Sequence, residues 1–212
     1  MIEEHEGHLY FMTDPICSWC WGTLPHIFRL REIYAERLSF SLKCAGLQVG
    51  SRKPLSEAHR KQLIGLWQEV AETTGQTFAF ELPADTDFIY HSELACRAIQ
   101  IARCELGKEP WQIFHDLQQA FYVDCENLGA TATLHRLVGA SLKMSAADFE
   151  DQLHSDAIIE ATRAEFTWCE DRAIQALPTV FLDLGMGPRL VAGGFATADM
   201  LIQEIQARLT TH

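Results

Sequence analysis

The chain has 212 residues, 48% apolar and 22% charged, which is the make-up of a soluble globular protein long enough for one domain with an insertion or two small lobes. Its 17 Lys and Arg residues against 29 Asp and Glu leave a formal charge of −12. That balance argues against nucleic acid or an anionic membrane as partner, because both repel an acidic surface. The first eight residues are acidic and lack an unbroken apolar stretch, so no signal peptide is expected; no apolar run approaches a membrane span, and the expected location is the cytoplasm.

Residues 8–13 are short and nearly continuous in apolar character, as in a strand covered on both faces. Directly after them comes Asp14-Pro15-Ile16-Cys17-Ser18-Trp19-Cys20-Trp21-Gly22, and then a helical pattern through Leu24, Ile27, Phe28 and Leu30. Strand, tight turn and helix place Cys17 at a helix N-terminus, where unpaired N–H groups and the positive end of the dipole lower a thiol pKa. Cys20 follows one turn later on the same face, within bonding reach. The pair therefore reads as a redox dithiol with Cys17 as the more exposed, attacking sulfur. A zinc site or ordinary core cysteines are the alternatives. Structural zinc normally takes four ligands, and neither a second C-x-x-C nor an H-x(3–5)-H pair beside further cysteines is present. Trp21 reads equally well as rim of the site or as core.

The helix is expected to run to about Glu36 with a kink at Pro25. Leu38 to Cys44 alternates with period two, a strand, and the three elements form a right-handed β-α-β unit with parallel strands. A polar loop from Gly46 to Pro54 leads into more than a hundred residues of helical pattern. Ser56 caps a helix to Thr74 that buries Leu63, Leu66, Trp67 and Val70, and an extended link covers residues 78–83. Ser92 caps a second helix, closed by Gly107; Pro110 opens a third. A short helix over Thr133–Gly139 and one opened by Ser145 follow, and then a longer one from Asp156 to Ala176 with Cys169 and Ala173 on its inner face. Trp67, Trp111, Phe114 and Trp168 read as core aromatics.

At Leu177 the pattern returns to strand. Residues 179–182 and 190–192, joined by a Gly/Pro-rich loop, read as a hairpin, and Thr197 caps a final helix that buries Met200, Leu201, Ile205 and Leu209. Cys44, Cys96, Cys104, Cys125 and Cys169 are expected to be buried free thiols.

This order resembles an α/β thioredoxin fold with an all-helical insertion: residues 1–52 and 168–212 as the thioredoxin-like domain, 53–167 inserted. The particular resemblance is to the DsbA-like thiol-disulfide oxidoreductases, and within them to the non-secreted FrnE-like branch. It rests on Asp14, Pro15, Cys17, Trp19, Cys20 and Gly22, and on Leu177-Pro178-Thr179 at the far end. The resemblance implies a protein disulfide oxidoreductase or isomerase acting through a mixed disulfide, with no metal or organic cofactor. Its partners would be thiol- or disulfide-bearing proteins or peptides, glutathione among them, and the chain would be a monomer. It further implies that Pro178 is cis beside the dithiol and that the Leu177 backbone is free to pair with an extended substrate, Thr179 supporting the groove. Ser18 and Trp19 would tune the potential. The secreted oxidases carry a histidine in that dipeptide; its absence here implies a less acidic Cys17 and a less oxidising couple. A kappa-type glutathione transferase or isomerase, with serine in the place of Cys17, and a zinc-holding binding module are the rival readings.

Overall fold

The computed structural model describes residues 5–85, 88–172 and 175–210. Strand β1 (Gly7–Thr13) leads into helix α1 (Ser18–Ile33) and strand β2 (Leu38–Cys44), which pairs parallel to β1. Near the C-terminus β3 (Thr179–Asp183) and β4 (Arg189–Gly193) form an antiparallel hairpin, followed by helix α8 (Ala198–Thr210). The single sheet has the order β2-β1-β3-β4, with β3 antiparallel to β1, so β1 is central and carries the motif at its C-terminal end. This is the thioredoxin fold, and the helical block lies between β2 and β3.

That block comprises α2 (Glu57–Thr74), α3 (Glu93–Leu106), α4 (Trp111–Tyr122), α5 (Thr131–Leu134), α6 (Ala146–Leu153) and α7 (Asp156–Glu170). Where one short helix was expected over Thr133–Gly139, α5 gives way to a π turn over His135–Gly139. The turn is held by the Ala140 N–H on the His135 carbonyl at 2.7 Å. Helix α1 passes through Pro25 but stops at Ile33, short of Glu36, and α7 stops at Glu170. Ala173, expected on its inner face, lies outside the described residues.

One cluster of buried side chains runs from the sheet (Leu9, Phe11, Leu42) through α1 (Leu24, Ile27) into the helical block (Trp67, Phe114, Phe121), so both parts of the chain share a core. Gly22 shows what one residue of the motif is for. A Cβ there would meet Thr74 Cγ2 at 2.7 Å, so only glycine lets α1 approach the end of α2 this closely.

The edge strand β2 is secured to the block by charge. Arg103 donates to Glu165 (3.0 Å), Glu109 (3.2 Å) and the Leu42 carbonyl (3.1 Å), while Glu165 accepts the Cys44 N–H at 2.8 Å. The Glu165 side chain is only 5% exposed, so its removal leaves the Cys44 N–H unpaired and takes a buried counter-charge from Arg103. Glu165→Ala should lower the unfolding free energy by about 3 kcal/mol, read from urea titration; a loss under about 1 kcal/mol would mean that the network is incidental.

Several side chains depart from expectation, Leu63, Leu66 and Leu209 being only half-buried. Met200 is 57% exposed, because the inner stripe of α8 is Ala198, Leu201 and Ile205. Cys104 is exposed and Cys125 half-buried, whereas Cys44, Cys96 and Cys169 are buried. Burial pushes the thiols of Cys96 and Cys169 well up and keeps them protonated, hence inert.

Candidate active site

β1 ends at Thr13, and the chain turns through Asp14-Pro15-Ile16 into α1, whose N-cap is Cys17. Caps are usually oxygen side chains; here a sulfur takes the place, accepting the Cys20 N–H at 3.2 Å. The Trp21 N–H closes the first turn on the Cys17 carbonyl at 3.0 Å. A group that accepts a backbone N–H at the positive end of a helix is held better as an anion, so in the reduced protein this position favours the Cys17 thiolate.

Cys17 and Cys20 are joined in a disulfide with their Cα atoms 5.1 Å apart. Cys17 is 7% exposed and Cys20 fully buried, so Cys17 is the more accessible of the two but far less exposed than expected. Cys17 belongs to the buried cluster that includes Ile16 and Trp21. Trp21 is itself core and not rim: its indole N–H donates to the Thr77 carbonyl at 3.0 Å, and its ring stacks on Tyr122. Ser18 is buried as well. Of residues 14–22 only Trp19 is half-exposed, its ring 5.9 Å from that of Phe195, which also meets His26 at 5.7 Å.

The strand pairing of Met12 with Thr179 sets Pro178 across from Thr13, at the end of the sheet where the motif leaves β1. The Leu177–Pro178 peptide is cis. The Pro178 carbonyl accepts the Gly194 N–H at 2.7 Å, and the Thr179 hydroxyl donates to the Ala176 carbonyl at 2.6 Å, fixing the turn. No other described residue hydrogen-bonds the backbone of half-buried Leu177.

What the sequence did not reveal is how the motif is held. Asp14 is fully buried. Its Oδ1 accepts the Ile16 N–H (3.0 Å), and its Oδ2 accepts Gly46 N–H (3.0 Å), Leu47 N–H (2.9 Å) and the Ser92 hydroxyl (2.7 Å). Gly46, at φ +76°, supplies the left-handed turn that aims two successive N–H groups at one oxygen. Ser92, expected to cap α3, makes no cap hydrogen bond and spends its hydroxyl on Asp14. The Asp14 carbonyl accepts the Cys17 N–H (3.1 Å) and the Gln118 side-chain amide (3.2 Å), and Tyr90 donates its hydroxyl to the Ile16 carbonyl at 2.9 Å. Burial, opposed by these hydrogen bonds, pushes the Asp14 carboxyl up to about 6. Burial also raises the Tyr90 hydroxyl, which stays a donor.

A dithiol capping a helix at the end of the central strand of a thioredoxin fold, opposite a proline turn, defines the class of redox-active C-x-x-C proteins. The chain belongs to the thioredoxin family, whose model matches residues 10–184. Comparison with curated proteins finds no match. Among solved structures, a protein from Nitrosomonas europaea described as a "putative protein disulfide isomerase" is 30% identical, with a TM-score of 0.88 over 99% of this chain and 100% of its own. The cytosolic disulfide reductase DsbM from Pseudomonas aeruginosa is 23% identical (TM-score 0.74; 95% and 99% covered). The same protein solved with GSH is 21% identical (TM-score 0.72; 96% and 99% covered). With the Cys17–Cys20 bond in this fold, the chain is a thiol-disulfide oxidoreductase of the thioredoxin family. Among the described residues no three His, Cys, Asp or Glu side chains gather as a metal site, and no helix is long and apolar enough to cross a membrane.

Proposed function

We propose that the chain works as a disulfide reductase or isomerase and not as a strong oxidase. The observation that carries this reading is the sulfur of Cys17 capping α1 under the Cys20 N–H, with Ser18-Trp19 and no histidine between the two cysteines. The helix terminus supplies one stabilising influence on the thiolate and the dipeptide adds no cation, so Cys17 should be more acidic than an ordinary thiol yet less so than in the secreted oxidases.

In the reductive direction the Cys17 thiolate attacks one sulfur of a substrate disulfide. A Cys17–substrate bond forms, the substrate S–S bond breaks, and the second substrate sulfur leaves as a thiolate that takes up a proton. Cys20, deprotonated, then attacks the Cys17 sulfur, closing the intramolecular bond and releasing the first substrate sulfur as a thiolate. Two electrons have passed from the dithiol to the substrate, and an external thiol must return them. Isomerisation uses the first step and its reversal at a different substrate sulfur.

Protein or peptide disulfides are the substrates in this reading, pairing with the Leu177 backbone beside Pro178, with Thr179 bracing the turn and Trp19 at the rim. Residues 53–167 wall the groove. Glutathione as a thiol partner and a cytoplasmic setting are supported by DsbM, a cytosolic reductase solved with GSH. A monomer is the working state.

Equilibration with glutathione redox buffers tests the proposal. The Cys17–Cys20 couple should lie between about −270 and −180 mV, the range from thioredoxin to disulfide isomerase; a value near −120 mV, that of the strong oxidase, would overturn it. Alkylation of reduced protein as a function of pH should give a Cys17 pKa below that of a free thiol and above that of the secreted oxidases.

A further inference from the structure

Successive residues of a strand point to opposite sides of the sheet, so Phe11 and its partner Val180 lie on one face, and Met12, its partner Thr179, and Phe181 on the other. Phe11 and Val180 join the large buried cluster that also holds Cys17 and the inner side of α1. Met12 and Phe181 join Cys169 in a second, smaller cluster with Tyr10 and Trp168 packed against it, so this face lies under α7. Leu177 packs against both clusters. It stands where the face that carries the reacting sulfur meets the face that does not.

On the α7 face, at this same end of the sheet, is a cavity of about 470 Å³. Ala176 and Thr179 line it, the residues on either side of Leu177-Pro178, so the cavity adjoins the turn beside which the substrate backbone would pair. Strands β3 and β4 add Phe181, Leu190 and Gly193, and Arg172, just past the end of α7, adds the one charged lining group among the described residues. Arg172 is held in place: its guanidinium carbon lies over the Trp168 ring, 3.4 Å from the centre, and its Nη1 donates to the Trp168 carbonyl at 2.7 Å. Leu190 is 54% exposed and so offers apolar area for an incoming side chain to cover.

Resting on the disulfide-exchange reading above, with an extended substrate beside Leu177, we infer that this cavity receives the side chain of the residue next to the attacked cysteine and selects an apolar one. An extended substrate obeys the same alternation as the sheet it lies against. With its cysteine turned to Cys17 on the α1 side, the adjacent residue turns to the α7 side, where the cavity is. Backbone pairing at Leu177 is indifferent to sequence; the wall formed by Phe181 and Leu190 supplies the selection.

The experiment compares two peptides with the same internal disulfide, its cysteines flanked by Leu in one and by Gly in the other, as substrates for wild type, Leu190→Asn and Met186→Asn. Met186, 73% exposed on the turn of the same hairpin and outside the cavity lining, controls for loss of exposed apolar surface in general. Wild type should favour the Leu-flanked peptide about fivefold in kcat/KM, Leu190→Asn should reduce the preference below about twofold with the Gly-flanked peptide turned over as before, and Met186→Asn should keep it. Equal rates on both peptides in wild type, a preference that survives Leu190→Asn, or one lost equally in Met186→Asn overturns the subsite while leaving disulfide exchange standing. Leu190→Asn slowing both peptides alike overturns it too, since the side chain would then serve the turn and not the selection. If wild type is as inert on both peptides as Cys17→Ser, the exchange reading fails and this inference fails with it.

Discussion

Cys20→Ser should accumulate a covalent adduct on Cys17, and Cys17→Ser should turn over no disulfide at all. The asymmetry follows from burial and capping. Cys17 is the only residue of the pair with any exposure and sits under the Cys20 N–H at the start of α1; Cys20 is sealed. A substrate can therefore reach only the first sulfur. With Cys20 removed, attack by Cys17 proceeds to the mixed disulfide and stops, because nothing in reach resolves it. The other three thiols near the sheet and helical core, Cys44, Cys96 and Cys169, are buried, and burial holds Cys96 and Cys169 in the unreactive protonated form. Mass spectrometry of Cys20→Ser after exposure to insulin or scrambled ribonuclease should show one substrate equivalent on Cys17, released by dithiothreitol. Insulin reduction by Cys17→Ser should fall to the uncatalysed rate. An adduct forming on Cys20 in the Cys17→Ser protein, or turnover surviving that change, would show that the roles are assigned the wrong way round.

The part of this site that the sequence revealed is the part built from neighbours. Cys17, Cys20 and the helix start lie within one turn, and the period-two run of Leu38 to Cys44 fixes the strand beside β1 whatever the rest does. The hairpin was legible because Gly185, Gly187 and Pro188 break two extended runs. Trp21 could have been placed correctly: it is four residues after Cys17 and three before Leu24, squarely on the inner stripe of α1. Met200 was misplaced for the converse reason, since Ala198, Leu201 and Ile205 already define the stripe of α8 and Met200 falls off it. Asp14 was recognisable only as a letter of the motif. Its work depends on partners 32, 33 and 78 residues away, and no local periodicity encodes those. The same holds for Ser92, whose position before α3 is that of a cap and whose hydroxyl is drawn off by Asp14. Tyr90 and Gln118 likewise reach the motif across 74 and 104 residues.

Because Asp14 gathers the motif, the loop after β2 and helix α3 onto one carboxylate, Asp14→Ala should be the most destabilising single change outside the apolar core, at about 4 kcal/mol. It orphans three backbone N–H groups and a buried hydroxyl, each costing about 1–3 kcal/mol when left unpaired, with partial relief from entering water. The pH dependence separates the hydrogen bonds from the charge. The folded-state pKa of about 6 lies above the ordinary carboxyl value of 3.8, so the fold prefers the protonated acid. Well below pH 3.8 folded and unfolded chains are both protonated at this position, and it contributes no penalty. Between the two values the folded protein holds a proton that the unfolded chain has released, so stability falls as pH rises. Above pH 6 the full cost of the buried charge is present, ~3 kcal/mol for a shift of this size. Asp14→Asn removes that charge but sets an amide N–H₂ against the donors around one oxygen or the other. Relative to wild type it should therefore be nearly neutral at pH 7.5, where losing the charge offsets the lost acceptor, and less stable by about 2 kcal/mol at pH 4.5, where folded wild type is protonated and only about 1 kcal/mol of the cost remains to be relieved. Urea unfolding of both proteins across that range measures the difference directly. A gap between wild type and Asp14→Asn that stays constant from pH 4.5 to 7.5 would mean that Asp14 does not titrate there, leaving it a hydrogen-bonding strut that stays charged throughout.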